Sequence, residues 1–264
     1  MRFAKYLITF KNVLQNEMEF RANTVVRFLI SMIMLVSALY LWNDVFSGRA
    51  EIAGYTKEQL VTYYILVSFI MAAIFSGLPV SEEIQRGNLS AYITRPINYI
   101  FYQYWHSLGR KTFRLMVGLP ILIAVFVIFK DYVYIITDPY AYLVLAVSVF
   151  LALNLLFLID ILINFLEFWF TNSFAINFIF DMSIGIFAGT LIPLAFLPVW
   201  VVSIGNFLPF QYTGAFLVDT FLGRLSTEQI LLGIGMQLFW TLLLAVFAQL
   251  IWARGLKRYE AYGS

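Results

Sequence analysis

Six polar side chains interrupt an apolar stretch of the chain. Asp160, Asn164 and Glu167 follow i, i+4, i+7 spacing, which places them on one helical face. Asn154 lies near that face, and Asn177 and Asp181 repeat the i, i+4 relation further on. Acids in such surroundings are costly and normally face a protein interior or a cavity. No Lys or Arg lies near them in sequence. Two uses fit the pattern. One is a polar surface along which a cationic or amphipathic solute moves, or where Asp160 and Asp181 couple to an ion. The other is hydrogen bonding between helices, with the acids wetted near helix ends. Acid–base chemistry elsewhere is poorly supported. Glu82 and Glu83 are adjacent, so on a helix they point about 100° apart and suit surface contacts to a basic partner better than shared proton transfer. A Ser/His/Asp set would need His106, which falls in an aromatic stretch and reads as structural. With one His and no Cys, no His/Cys metal centre, thiolate or disulfide can form.

The surrounding chain has to hold these groups in place. Of its 264 residues, 62% are hydrophobic and 12% charged, about half the charged share of a soluble domain. That composition excludes a cytosolic enzyme, a disordered chain and a disulfide scaffold, and implies an all-α polytopic membrane protein. The net charge of +2 is too small to suggest nucleic acid. Six stretches approach the roughly 20 apolar residues of a membrane span. They are Phe28–Trp42, Leu60–Val80, Leu115–Phe129, Tyr140–Ile163, Phe174–Ile192 and Ile230–Trp252. Within them the charged residues are Asp160 and Asp181. A further apolar region, 193–223, contains Pro193, Pro198 and Pro209 and several glycines. Proline removes helix hydrogen bonds, so this region reads as two short re-entrant helices, or else as a seventh, kinked span.

Residues 1–24 alternate apolar and basic positions at helical spacing and predict an amphipathic helix lying in the membrane interface. No cleavage site follows the first apolar run, so the first span is expected to be retained. Thirteen Lys and Arg fall in the N-terminal, second-to-third-loop and C-terminal segments, against four on the other side. With six spans, both termini are then cytoplasmic. The expected divisions are an interfacial helix at 1–24, a single transmembrane domain at 25–252 and a cytoplasmic tail at 253–264.

The loop at 81–112 is the largest expected on the cytoplasmic side. Glu82, Glu83 and Arg86 continue the second span as a charged extension, and Gly87 ends that helix. Asn88–Thr94 predicts a short helix with Leu89 and Ile93 on one face. Pro96 holds Arg95 out of the helical region. An aromatic stretch through Trp105 then leads into the third span. The loop reads either as a structured connector or as an element that passes movement from a soluble partner to the spans.

The run from Glu82 to Ile97, EEIQRGNLSAYITRPI, resembles the signature of six-span permeases of the type-2 (type V) ATP-binding-cassette exporters, in a poorly characterised subgroup. Pro193–Pro198 and Leu208–Phe210 are similar to the segment before the last span of that family. The resemblance implies a bacterial plasma-membrane permease paired with a second copy or a related permease. It also implies two ATPase subunits that carry ATP and Mg. Glu82, Glu83, Arg86, Gly87, Leu89, Ile93, Arg95 and Pro96 would belong to the coupling helix and its ATPase interface. The N-terminal helix would be the elbow helix, and 193–223 an extracytoplasmic gate. The chain has no phosphate-cradling G-x-x-x-x-G-K-[ST] run, so ATP hydrolysis is expected on another polypeptide. A secondary transporter or channel is the alternative.

Overall fold

A computed structural model of the chain describes residues 3–74, 77–136, 139–170 and 174–262. Phe75 and Ser76 of the expected second span and Thr171–Ser173 of the expected fourth-to-fifth connection lie outside the described residues, as do the two residues at each end of the chain. Nearly all of the described chain is helical. It runs α1 (Ala4–Glu19), α2 (Arg21–Val45), the strands β1 (Glu51–Ile52) and β2 (Tyr55–Thr56), α3 (Lys57–Ile74), α4 (Val80–Gln85) and α5 (Ser90–Ile93). There follow α6 (Tyr99–Ile128), α7 (Pro139–Phe165), α8 (Phe174–Phe187), α9 (Val199–Phe207), α10 (Ala215–Phe221) and α11 (Thr227–Tyr262). Single 3₁₀ turns at Leu166–Phe168, Leu194–Phe196 and Phe210–Thr213 join some of these.

Four stretches are long and apolar enough to cross a membrane: α2, α6, Tyr140–Phe168 and Thr227–Tyr259. With no water in a bilayer core, polar groups on such helices must be satisfied internally. The serines of α2 show how: Ser31 and Ser37 donate to the carbonyls of Arg27 and Ile33, one turn back. Helix starts are equally local. Thr56 and Gln59 exchange reciprocal side-chain-to-backbone hydrogen bonds at the head of α3, and Ser226 and Gln229 do so at the head of α11.

Two expectations need correction, and one small element joins the nearly all-α fold: β1 and β2 form a hairpin in which Ile52 pairs with Tyr55. Its turn holds Ala53 at φ 50° and Gly54 at φ 75°, the doubly positive geometry that matches strand twist. The charged segment Glu82–Arg86 does not continue the second span, since the chain breaks around Gly77–Pro79 and α4 starts anew. The third long helix begins at Tyr99 rather than near Leu115, because the Asn98 side chain caps it by accepting from the Phe101 amide at 3.0 Å. Arg110 finds partners within the protein: it pairs with Glu17 of α1 at 3.1 Å and donates to the Gly77 carbonyl at 2.7 Å.

One face of α1 packs on the first half of α6. Phe3 and Phe10 meet Trp105, and Tyr6 meets Phe101 edge-on at 4.7 Å. Gly109 lets the two helices approach, since a Cβ there would lie 3.0 Å from the Phe10 carbonyl. Two buried clusters hold the molecule together. The larger joins α2, α3, α6, α7, α8 and α10. The smaller, around Leu89, Tyr99, Phe165 and Phe168, joins the α4–α5 connector to α6, α7 and α11.

Candidate functional site

Helices α6, α7 and α8 and the start of α4 line a partly open cavity of about 280 Å³. Asp160, Asn164, Asn177 and Asp181 line it together with Ser81 and Lys111. The polar face of α7 is directed at α4. Asn164 accepts from the Ser81 amide at 2.9 Å and donates to the Asp160 carboxylate at 3.0 Å. Glu167, one step on in the 3₁₀ turn, is buried and accepts from Ser81 Oγ at 2.8 Å and Gln85 Nε2 at 2.6 Å. Asn164 and Glu167 therefore bond between elements, Asp160 accepts from Asn164 and the Leu78 amide while lining the cavity, and Asp181 lines it from α8. Asn154 stands apart: it donates to the Phe150 carbonyl at 2.7 Å and lines a separate small crevice. Lys111 brings a cation to the same cavity from α6, a neighbour that sequence distance concealed.

The connector below the cavity has an inner and an outer side. Gly87 takes φ 75° between α4 and α5, a conformation that suits glycine and turns the chain back. Leu89 is fully buried beside Val80, Ile84 and Tyr99. It thus faces inward as an anchor and presents no surface to a partner. Glu83 also points inward, accepting from the Tyr99 hydroxyl and from Gln103 Nε2 at 3.0 Å, so the expectation of a surface contact fails for it. Tyr99 in turn stacks on Trp252 of α11 at 4.6 Å. The outer side carries Glu82 and Arg86, ion-paired at 2.8 Å, with Asn88, Ile93, Thr94 and Pro96 exposed. Arg95 is also exposed and lies over the Tyr92 ring at 5.6 Å. The Pro96 carbonyl accepts from Lys5, and the Asn98 amide donates to the Tyr6 hydroxyl at 3.1 Å, so α1 is tied to the exit of the connector.

Burial pushes the Glu83 carboxyl above its ordinary value of 4.5, and the bonds from Tyr99, Tyr92 and Gln103 offset this only in part. A raised folded-state value means the folded chain binds the proton more tightly. The group's contribution to stability is then full below pH 4.5 and is lost as pH rises through the raised value. Glu83→Gln stays neutral and keeps an accepting oxygen. Melting temperatures taken from pH 7 down to 4.5 are expected to rise less in this variant than in the parent chain; parallel profiles would contradict the assignment.

At the opposite end of the helices, the region 193–223 is pinned to its neighbours. Pro193 and Pro198 precede the Leu194–Phe196 turn and α9, and Pro209 precedes the Phe210–Thr213 turn. The Ala215 amide donates to the Ala188 carbonyl at 2.7 Å, and the Tyr63 hydroxyl to the Gly189 carbonyl at 2.8 Å. Sequence reasoning missed a latch here. Tyr55 OH donates to Asp219 Oδ1 at 2.7 Å, and Arg224 Nε lies 3.5 Å from the same oxygen. The guanidinium sits 3.4 Å from the centre of the Tyr55 ring and donates to the Gly54 carbonyl. Burial, and then the Asp219 charge, raise the Tyr55 phenol, so it keeps its proton and remains the donor. Gln237 was missed too: buried on α11, it donates to the carbonyls of Ser148 at 3.1 Å and Tyr212 at 2.9 Å. Among the described residues no group of three His, Cys, Asp or Glu side chains could hold a metal ion.

A family model described as ABC-2 family transporter protein matches residues 32–263. The match runs from within α2 through α11 and covers both the cavity and the connector. No curated protein matches the chain.

Proposed function

This chain belongs to the ABC-2 transporter family, as the membrane permease component, and on that premise we propose that it moves its substrate outward, driven by ATP hydrolysis on a separate subunit. Two ATPase subunits carrying ATP and Mg pair with two permeases, the second being another copy or a related chain. In this reading α2, α3, α6, α7, α8 and α11 are six spans, with both termini in the cytoplasm of a bacterial cell. The α5 helix and its flanks, with Glu82, Arg86, Ile93 and Arg95 outermost, dock on the ATPase, and α1 frames that dock as the elbow helix. The Pro193–Gly223 region gates the far side.

The observation that carries this reading is the two-sidedness of the α4–α5 connector. Its outer face is exposed and charged. Its inner face is fixed by Leu89 and by the Glu83–Tyr99–Gln103 hydrogen bonds to α6. A push on the outer face is therefore delivered to a helix long enough to span a membrane. Coupling of this kind needs two states of a packed element rather than a flexible strap. The test is co-purification of the tagged chain with an ATPase, followed by transport in proteoliposomes. ATP-dependent transport by the joint complex is expected. Transport by the chain alone, without nucleotide, would overturn the reading in favour of ion coupling through Asp160 or Asp181.

A further inference from the structure

The cavity between α6, α7 and α8 is charged on facing walls. Lys111 is 4% exposed, and its hydrogen bond among the described residues goes to the Leu153 carbonyl at 3.3 Å. An ammonium has three N–H donors, so two remain for a ligand. Asp160 and Asp181 line the same space, yet neither pairs with Lys111 within 4 Å; the ion pairs among the described residues are Arg86–Glu82, Arg110–Glu17 and Arg224–Asp219. Lys111 and Asp160 attract across the cavity without touching, and Asp181, on an exposed position of α8, forms no ion pair among the described residues. Asp181 and Ile184 also form the wall shared with a second, outer groove of about 610 Å³ between α2, α3 and α8. That groove is mostly apolar, through residues such as Val26, Ile30, Val67, Met71 and Leu191, with Arg27 also along it.

We propose that the inner cavity binds the zwitterionic head of an amphiphile, with its ammonium between Asp160 and Asp181, its anionic group on Lys111, and its apolar body along the outer groove. Charge decides the class. A simple cation would answer the acids but leave the spare Lys111 donors unfilled, and a simple anion would answer Lys111 against two acids. A zwitterion satisfies both walls and brings no net charge out of water. Size agrees, since about 280 Å³ lies at the lower limit of ligand sites, roughly 300–1,000 Å³, and accepts a head group rather than a whole amphiphile. Sequence spacing alone suggested a cationic or amphipathic solute; the position of Lys111 adds the anionic group. As a substrate site the cavity rests on the permease reading, whereas binding itself does not.

The purified chain in non-ionic detergent is titrated with three probes sharing an oleoyl tail: lysophosphatidylethanolamine, lysophosphatidylglycerol and oleoylcholine. Native mass spectrometry reads the bound fraction. The zwitterion is expected to bind at least tenfold more tightly than the anionic or cationic probe. Asp181→Asn, on an exposed position of α8, is expected to weaken it at least tenfold with an unchanged melting temperature. Lys111→Met is expected to bring the cationic probe level with the zwitterion. Equal affinity for the three heads, or undiminished binding by Asp181→Asn, would overturn the proposal. Should Lys111→Met fail to fold, Asp181→Asn decides. No ATPase is present in this experiment, so its failure and the failure of the ATP-driven reading are separately visible.

Discussion

Leu89→Ala is expected to cut transport-linked ATP hydrolysis at least tenfold in the assembled complex while membrane insertion stays intact. Leu89 is wholly buried, and truncating such a leucine costs about 2–5 kcal/mol. The loss falls on a helix of four residues, which has no stability of its own and exists through its packing. The cost is therefore met by detaching α5 rather than by unfolding the long helices, which the larger cluster also holds. A detached α5 still reaches the ATPase but delivers no push to α6. Arg95→Ala acts differently. It removes a cation–π contact of about 0.5–1 kcal/mol and a charge from the outer face, so it weakens docking and is expected to have the smaller effect. ATPase rates of the reconstituted complex with and without transport substrate are the measurement. Unchanged coupling in Leu89→Ala would remove the connector from the mechanism.

The second large effect separates two glycines of α11. A Cβ on Gly233 would sit 2.1 Å from Cε2 and 2.4 Å from Cζ of Phe216. Phe216 is buried and already packs edge-on against Tyr212 at 5.9 Å, so the ring has little room to withdraw. Gly233→Ala then forces α10 and α11 apart, at a cost of about 1–3 kcal/mol or more. A Cβ on Gly235, two residues away, would meet nothing within 4 Å. There the change to alanine removes glycine's helix penalty of about 0.8–1 kcal/mol. Gly233→Ala should lower the melting temperature in detergent and Gly235→Ala should hold or raise it, as read by tryptophan fluorescence. Equal shifts would contradict the close approach of α10 to α11.

Hydropathy made the long apolar helices legible, because burial in lipid demands a continuous apolar run and leaves little freedom of composition. It also singled out Asp160, Asn164, Asn177 and Asp181, which the fold gathers around one cavity. The errors came where charge was read as a sign of water. Arg110, Lys111 and Arg114 made 99–114 resemble a loop, yet Glu17, the Gly77 carbonyl and the Leu153 carbonyl serve as partners for Arg110 and Lys111. A local sign of the true start was present in Asn98 after Pro96, a cap just ahead of the helix. The Thr56–Gln59 and Ser226–Gln229 pairs were equally readable as capping boxes. Other groups were beyond local reading. Nothing near Glu83 foretells Tyr99 and Gln103 as donors, and nothing near Tyr55 foretells Asp219 or Arg224, because those pairings are set by how the helices pack.

The Tyr55–Asp219–Arg224 latch bears on how the chain is made. Tyr55 and Asp219 are 164 residues apart. At 5–20 residues per second, roughly 8–33 s separate their synthesis. Throughout that interval the β1–β2 hairpin exists while its acid and its arginine have not yet been made. A two-stranded hairpin is marginal by itself, so it waits as an open loop until α10 arrives. Closure of the latch thus comes late in biogenesis, just before α11, and marks the first and last thirds of the protein as assembled together.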